Sequence, residues 1–286
     1  MITAINRTAV LKPKEVYIVK AKIIIAMLMT VVCASACSGE SAPVMSSNSD
    51  YSSLDAKGSG WGFVRKKGAP PETALSQTSL LERYGGIFID HNGGKSLYLT
   101  FDEGYENGCT ASILDTLAKT QTPAAFFVTG PYLEKQTDLV KRMIDEGHIV
   151  GNHTVNHLNL PNQPAETVKS EITELNARCE ELYGYTMKYM RPPEGEFSER
   201  TLAITHDLGL TTVMWSFAYK DWDINAQQGA QHAYESVVPY LHDGAVLLLH
   251  AVSTDNASAL ESIINTAKEN GYTFKSLDEI NIDNTN

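Results

Sequence analysis

Residues 96–103 read SLYLTFDE. Residues 96–101 form a short β-prone run, and two acids, Asp102 and Glu103, follow it at once. Beyond them Ile113, Leu114 and Leu117 fall on one helical face, and residues 124–128 (AAFFV) make the next strand. The unit then repeats. Leu139, Val140, Met143 and Ile144 mark a helix, and residues 148–152 a strand. Residues 165–182 carry Val168, Ile172, Leu175, Cys179 and Leu182 three or four apart, with Pro164 just before the start. Residues 188–191 read as strand, 198–208 as a helix capped by Ser198 and stopped at Gly209, and 211–215 as strand. Residues 230–241 read as helix, 245–249 (AVLLL) as strand, 256–270 as helix and 272–274 as a last strand. Successive β-α units predict an α/β fold with a mostly parallel sheet, either closed into a barrel or doubly wound. Periodicity alone does not choose between the two.

The polar residues gather at one kind of place. Asp102 and Glu103 follow one strand, His153 and His157 another; Arg191 ends a third, Asp221 lies just past a fourth, and His250 ends AVLLL. Strand carboxyl ends carry the ligand-binding loops of barrels and open α/β sheets. His153 and His157, four apart, can face one ion, and an acid from Asp102 or Glu103 completes the donor set of a hydrolytic metal site. Each residue alone also has a plain reading: Asp102 a cap, Glu103 a solvated charge, Arg191 before Pro192 and Pro193 a stiff turn, His250 a satisfied core residue. His91, His148, His206, His232 and His242 lack such partners and read as structural or surface residues.

Composition narrows the classes. Hydrophobic residues are 43% and charged residues 20%, which excludes wholesale disorder. The net charge is −11, but residues 1–37 hold five bases and one acid, leaving 18 bases against 33 acids in the rest. A body that acidic lacks the surface a nucleic-acid binder needs. Residues 23–36 form an apolar run after Lys20 and Lys22, too short for a membrane span but suited to an export signal. Ala34-Ser35-Ala36 precedes Cys37, an arrangement similar to a lipoprotein signal, so we expect export with either a lipid anchor at Cys37 or plain cleavage. Residues 38–59 hold eight serines and read as a tether, with the folded domain over 60–286. Only Cys109 and Cys179 remain in that domain, so no disulfide framework is expected.

Five stretches fall in the order of the motifs of polysaccharide deacetylases of the NodB-homology type, and the chain resembles that family. They are Thr100-Phe101-Asp102-Glu103-Gly104, His153-Thr154-Val155-Asn156-His157, Arg191-Pro192-Pro193-Glu194-Gly195, Asp221-Trp222 and Leu248-Leu249-His250. Residues 61–63, 100–108 and 248–260 make it more similar to the delta-lactam-biosynthetic muramic acid de-N-acetylases of spore-forming bacteria. The resemblance implies a distorted, incompletely closed (β/α) barrel holding a divalent ion, zinc or similar. It implies Asp102 as general base, Arg191 as its holder, and His250 as the acid oriented by Asp221. The backbone N–H of Glu194 would bind the oxyanion, and Trp215 and Trp222 would line the sugar groove. His153 and His157 would hold the ion. Where the wider family has a metal-binding aspartate this chain has Glu103, and we expect Glu103 to reach the ion as the third ligand. The substrate implied is N-acetylmuramic acid in a peptidoglycan glycan strand, within spore cortex. Two alternatives stand beside it: an N-acetylglucosamine deacetylase, and an inactive wall-binding module.

Overall fold

Leu97, Leu99 and Phe101 point one way from their strand, and Tyr98, Thr100 and Asp102 the other, so one stretch feeds two cores. In the computed structural model, which describes residues 50–280, every residue of this strand is buried. Leu97, Leu99 and Phe101 pack with Ile113, Leu114 and Leu117 of the following helix. Tyr98 packs with Ala125, Phe127, Ile149, Val213 and Val246 inside the curled sheet. Burial on both faces is what a parallel strand under a layer of helices requires.

The elements run β1 (Ser59–Gly60), β2 (Phe63–Lys66), β3 (Ala69–Thr73), α1 (Leu75–Arg83), β4 (Ser96–Glu103), α2 (Thr110–Thr120) and β5 (Ala124–Val128). They continue α3 (Gly130–Lys135), α4 (Thr137–Asp145), β6 (Ile149–Asn152), α5 (Ala165–Tyr183), β7 (Tyr189–Met190), β8 (Glu196–Phe197) and α6 (Glu199–Asp207). The last are β9 (Thr211–Thr212), α7 (Ala230–Val237), β10 (Ala245–His250), α8 (Thr254–Glu269) and β11 (Thr273–Phe274). The main sheet has the order β10-β4-β5-β6-β7-β9, with β11 added beside the start of β4, and all its pairs are parallel. Its two edges are not laddered together. Single bridges span the gap, Ile87 to Val213 on one side and Ile89 to Ala245 on the other. The result is the incompletely closed barrel, not the doubly wound sheet. The interior strand β7 is itself only two residues long, because it runs into Arg191-Pro192-Pro193, where two residues without N–H groups cannot extend a ladder.

Most expected elements form, some with shorter bounds. The strand expected over 211–215 keeps ladder pairing only at Thr211–Thr212. The helix expected over 230–241 stops at Val237 and gives way to a 3-10 turn, Val238–Tyr240, at Pro239. The tether needs a larger correction. Tyr51 is buried against Leu160, Val168 and Ile172, and its hydroxyl donates to Asp207 Oδ2 at 2.9 Å. Ser59–Gly60 pairs antiparallel with β8. Residues 51–59 therefore belong to the folded body, because Tyr51 supplies apolar area that the serine count conceals. Residues 1–49, with the expected signal segment and Cys37, lie outside the described residues. No helix among the described residues is long and apolar enough to cross a membrane, and Cys109 and Cys179 are free thiols.

Candidate active site

The carboxyl ends of β4, β6, β7 and β10 open on one cleft of about 930 Å³, lined by Asp102, His153, His157, Glu194, Trp215, Trp222 and His250. Arg191 and Asp221 lie beneath its floor, buried. Asp102 and His250 are register partners on β4 and β10. Neighbouring strands lie about 4.8 Å apart, so carboxylate and imidazole stand side by side on the inner face. Phe63 and Tyr105 also line the cleft. Both fall in stretches that carry the family resemblance, 61–63 and 100–108, but neither was given a place in the site, since nothing in one chain separates a cleft aromatic from a surface one.

Arg191 is wholly buried and every part of its guanidinium is engaged. Nη1 donates to Asp102 Oδ1 at 2.8 Å, Nε to Val213 O at 3.0 Å and Nη2 to Met214 O at 3.4 Å. The plane rests on Phe127, 4.2 Å from the ring centre. Burial pushes the Asp102 carboxyl up, but Arg191, His153 and His250 together outweigh it and hold it below the usual carboxylate range. Asp102 is an ionised base.

His153 and His157 meet edge to face, ring centres 4.8 Å apart. His153 Nδ1 lies 2.7 Å from Arg191 O, which fixes that nitrogen as the donor and leaves Nε2 facing Asp102 Oδ2 at 3.6 Å. Burial lowers His153 to about 4, so the ring is neutral, as a metal ligand must be. The loop between the histidines is tied down from behind. Asn152 Oδ1 accepts from Thr154 N at 2.8 Å, and Glu171 accepts from the backbone and side chain of Asn156 at 2.7 and 2.6 Å. Thr154, His157 and Glu194 adopt positive φ (67°, 55° and 60°), a conformation that costs energy in residues other than glycine and clusters at functional sites. The sequence did hint at Glu171, an acid within the buried stripe of Val168, Ile172 and Leu175.

Glu103 corrects the expectation. It follows the phase of Leu97, Leu99 and Phe101 and so faces the helix layer, while Asp102 faces the cleft. Its carboxyl oxygens are buried without a hydrogen-bond partner. Burial, with Glu106 and Asp102 adding like charge, pushes it well above the ordinary carboxylate range, and the nearby hydroxyls of Tyr132 and Thr110 offset little of this. Glu103 stands behind the site, in surroundings that favour its protonated form. The metal test therefore gives a divided answer. The two imidazoles are donors of the right type, with Asp102 Oδ2 beside them, yet among the described residues no three such side chains stand in coordinating geometry.

Opposite Asp102, Asp221 Oδ1 holds His250 Nδ1 at 2.7 Å, and Oδ2 accepts from His250 N at 2.8 Å. Asn256, at the start of α8, donates to the same Oδ2 at 2.6 Å and in turn accepts from the Tyr219 hydroxyl. Burial alone would lower His250, but the bond and charge of Asp221, with Asp102 behind, raise it above the ordinary imidazole value. Trp222 stands edge-on to the ring at 5.6 Å. Asn256 lies in the 248–260 stretch that carries the resemblance, but its role was not readable there, because only the fold brings it under Asp221.

A carboxylate and an imidazole, Asp102 and His250, share one cleft with the histidine pair His153 and His157, at the open end of an incomplete barrel. The chain belongs to the polysaccharide deacetylase family, whose pattern residues 90–213 match. These are metal-dependent carbohydrate hydrolases. The chain is 45% identical over 225 residues to the peptidoglycan-N-acetylmuramic acid deacetylase PdaA of Bacillus subtilis, covering 77% of this chain and 84% of that one. The solved PdaA structure, a family 4 carbohydrate esterase, superposes with a TM-score of 0.76 over 79% of this chain and 97% of PdaA, at 43% identity. A family 4 carbohydrate esterase from Bacillus anthracis gives a TM-score of 0.68 at 41% identity over 79% of this chain and 97% of its own. A chitooligosaccharide deacetylase of Bradyrhizobium is 38% identical over 162 residues, 56% of this chain and 73% of its own.

Proposed function

We propose that this chain hydrolyses the acetamido group of N-acetylmuramic acid in peptidoglycan, leaving the free amine and acetate. One observation carries the chemistry: Asp102 and His250 stand side by side in the cleft, the first tied to Arg191, which holds its carboxyl below the usual range, and the second to Asp221, which raises its imidazole. Asp102 takes a proton from the attacking water, and Arg191 keeps it ionised and aimed. His250, with Nδ1 tied to Asp221, presents Nε2–H to the nitrogen that leaves as amine. The Glu194 N–H serves the oxyanion, and Trp215 and Trp222 bound the sugar groove. His153 and His157 would hold the divalent ion, with Asp102 and not Glu103 as the nearest carboxylate. Such an ion, zinc or similar, supplies a polarised acetyl carbonyl and a more acidic water.

The muramic sugar is favoured over glucosamine by the length and identity of the match to PdaA. Purified protein incubated with stem-peptide-free and intact peptidoglycan, followed by acetate assay and product mass, tests the reading. Deacetylated muramic products are expected. Products at glucosamine alone would replace the sugar, and no acetate from any glycan would leave a wall-binding module. Action on peptidoglycan places the protein outside the cytoplasm, and a role in muramic delta-lactam formation in spore cortex belongs to the same reading. Attachment through a lipidated Cys37 does too: Cys37→Ser should move the protein from the membrane to the soluble fraction. Wild-type protein found wholly soluble would leave ordinary signal cleavage.

A further inference from the structure

Lys220 is the single lysine or arginine among the described residues lining the cleft. The acid–base pair, the histidines and the oxyanion donor make no use of it. Its backbone is nonetheless fixed beside the proton donor. Tyr219 before it is buried and bonded to Asn256, and Asp221 after it is locked onto His250. The side chain is free by contrast, 66% exposed, with Asp223 Oδ2 as an open neighbour at 3.7 Å. So exposed a pair contributes little, and the ammonium is available to a ligand. In a chain whose residues beyond 37 carry 18 bases against 33 acids, the one lysine at the substrate face, with no part in the acid–base or ion-holding set, points to a negative group on the substrate.

The chemistry of the sugar supplies one. In muramic acid the carbon next to the acetamido-bearing carbon carries an O-lactyl ether ending in a carboxylate; in glucosamine it carries a hydroxyl. Whatever reaches the scissile amide therefore stands next to that carboxylate, and Lys220 is one residue from the aspartate that aims the proton donor. We infer that Lys220 is a specificity-determining residue that pairs with the free lactyl carboxylate. The inference rests on the muramic reading above. It adds that a muramic residue whose lactyl group is amidated, having no charge there, is a poorer substrate than the free acid.

Three defined oligosaccharides test this: one with muramic acid as the free lactyl acid, one with the lactyl group as its methylamide, and one with glucosamine only. Acetate release gives kcat/KM for each with the wild type, Lys220→Met and Lys220→Arg. The wild type should favour the free acid over the methylamide about tenfold, the size of one charge-assisted contact in a partly open site. Lys220→Met should bring that ratio close to one, chiefly through KM for the free acid, and Lys220→Arg should keep most of it. Raising the salt to about 0.5 M should erode the wild-type ratio. An unchanged ratio in Lys220→Met overturns the inference. So does a wild type that deacetylates both muramic substrates equally, and that result leaves the muramic reading standing. Acetate from the glucosamine oligomer alone overturns both.

Discussion

Asp102 and His250 are partners across one strand pair, yet their environments drive their protons in opposite directions, which is how adjacent groups acquire separate roles. Asp102→Asn and His250→Ala should each lower turnover at least about a hundredfold with sugar binding kept. Turnover by either variant near the wild-type value would remove its assigned role. Because the acid must be protonated to act, the rate falls as pH rises through His250. Asp221→Asn removes the charge that raises this group, so the alkaline limb of the pH profile should move to lower pH. A limb that stays in place would show that Asp221 does not set the His250 proton. Glu103 gives the opposite kind of test. Facing the helix layer as an uncharged acid, it should be replaceable by Gln with metal affinity unchanged in a calorimetric titration, whereas His153→Ala should abolish binding. Loss of affinity in Glu103→Gln would return the residue to the ion. The alternation was legible in SLYLTFDE, since Asp102 keeps the phase of Tyr98 and Glu103 that of Phe101. The reading missed it by ending the strand at Phe101, which made both acids loop residues with no assigned face.

At the level of elements, the site is held by what packs behind its loops. The Gly130 amide at the start of α3 donates to Thr154 O and Val155 O at 3.2 and 3.1 Å. A Cβ there would stand 2.8 Å from Val155 O, a backbone atom that cannot rotate away. Gly130→Ala should therefore push on the loop carrying both histidines, costing about 1–3 kcal/mol in a urea titration and weakening metal binding as well. Full metal affinity in a destabilised Gly130→Ala would separate loop from helix. None of this close approach is visible in a single glycine of the sequence. The long apolar runs were visible: AAFFV and AVLLL are strands because each is buried on both faces. The hairpin of β2 and β3 was not, for its residues are mostly exposed and carry no apolar period. Nor was closure of the barrel, which depends on single bridges that no repeat encodes.

Across the whole molecule, the buried histidines set how stability follows pH. Burial lowers His148, His153 and His242 below the ordinary imidazole value, His153 to about 4. Only the unfolded chain takes up these protons as pH falls below about 6.5, so each group's contribution is present above that pH and is lost toward the folded value. His250 has the other sign. Raised in the folded state, it stabilises fully below about 6.5 and loses that effect as pH rises through its folded value, so between pH 6.5 and 5 it is charged in both states and adds no slope. Glu103 opposes the three histidines in this window, because the folded state keeps its proton while an unfolded glutamate releases it above about 4.3. His153, lowered to about 4, offsets Glu103, and the lowering of His148 and His242 adds to the unfolded side, so the balance is negative, at roughly 1.4 kcal/mol per pH unit for each full proton of difference. The urea midpoint of the metal-free protein should therefore fall between pH 6.5 and 5. Glu103→Gln, which removes the opposing group, should steepen that fall. A midpoint that rises toward pH 5 would mean that the buried histidines do not stay neutral in the folded protein, and a Glu103→Gln profile parallel to the wild type would mean that Glu103 is ionised there, so that its place as a protonated acid behind the cleft would be lost.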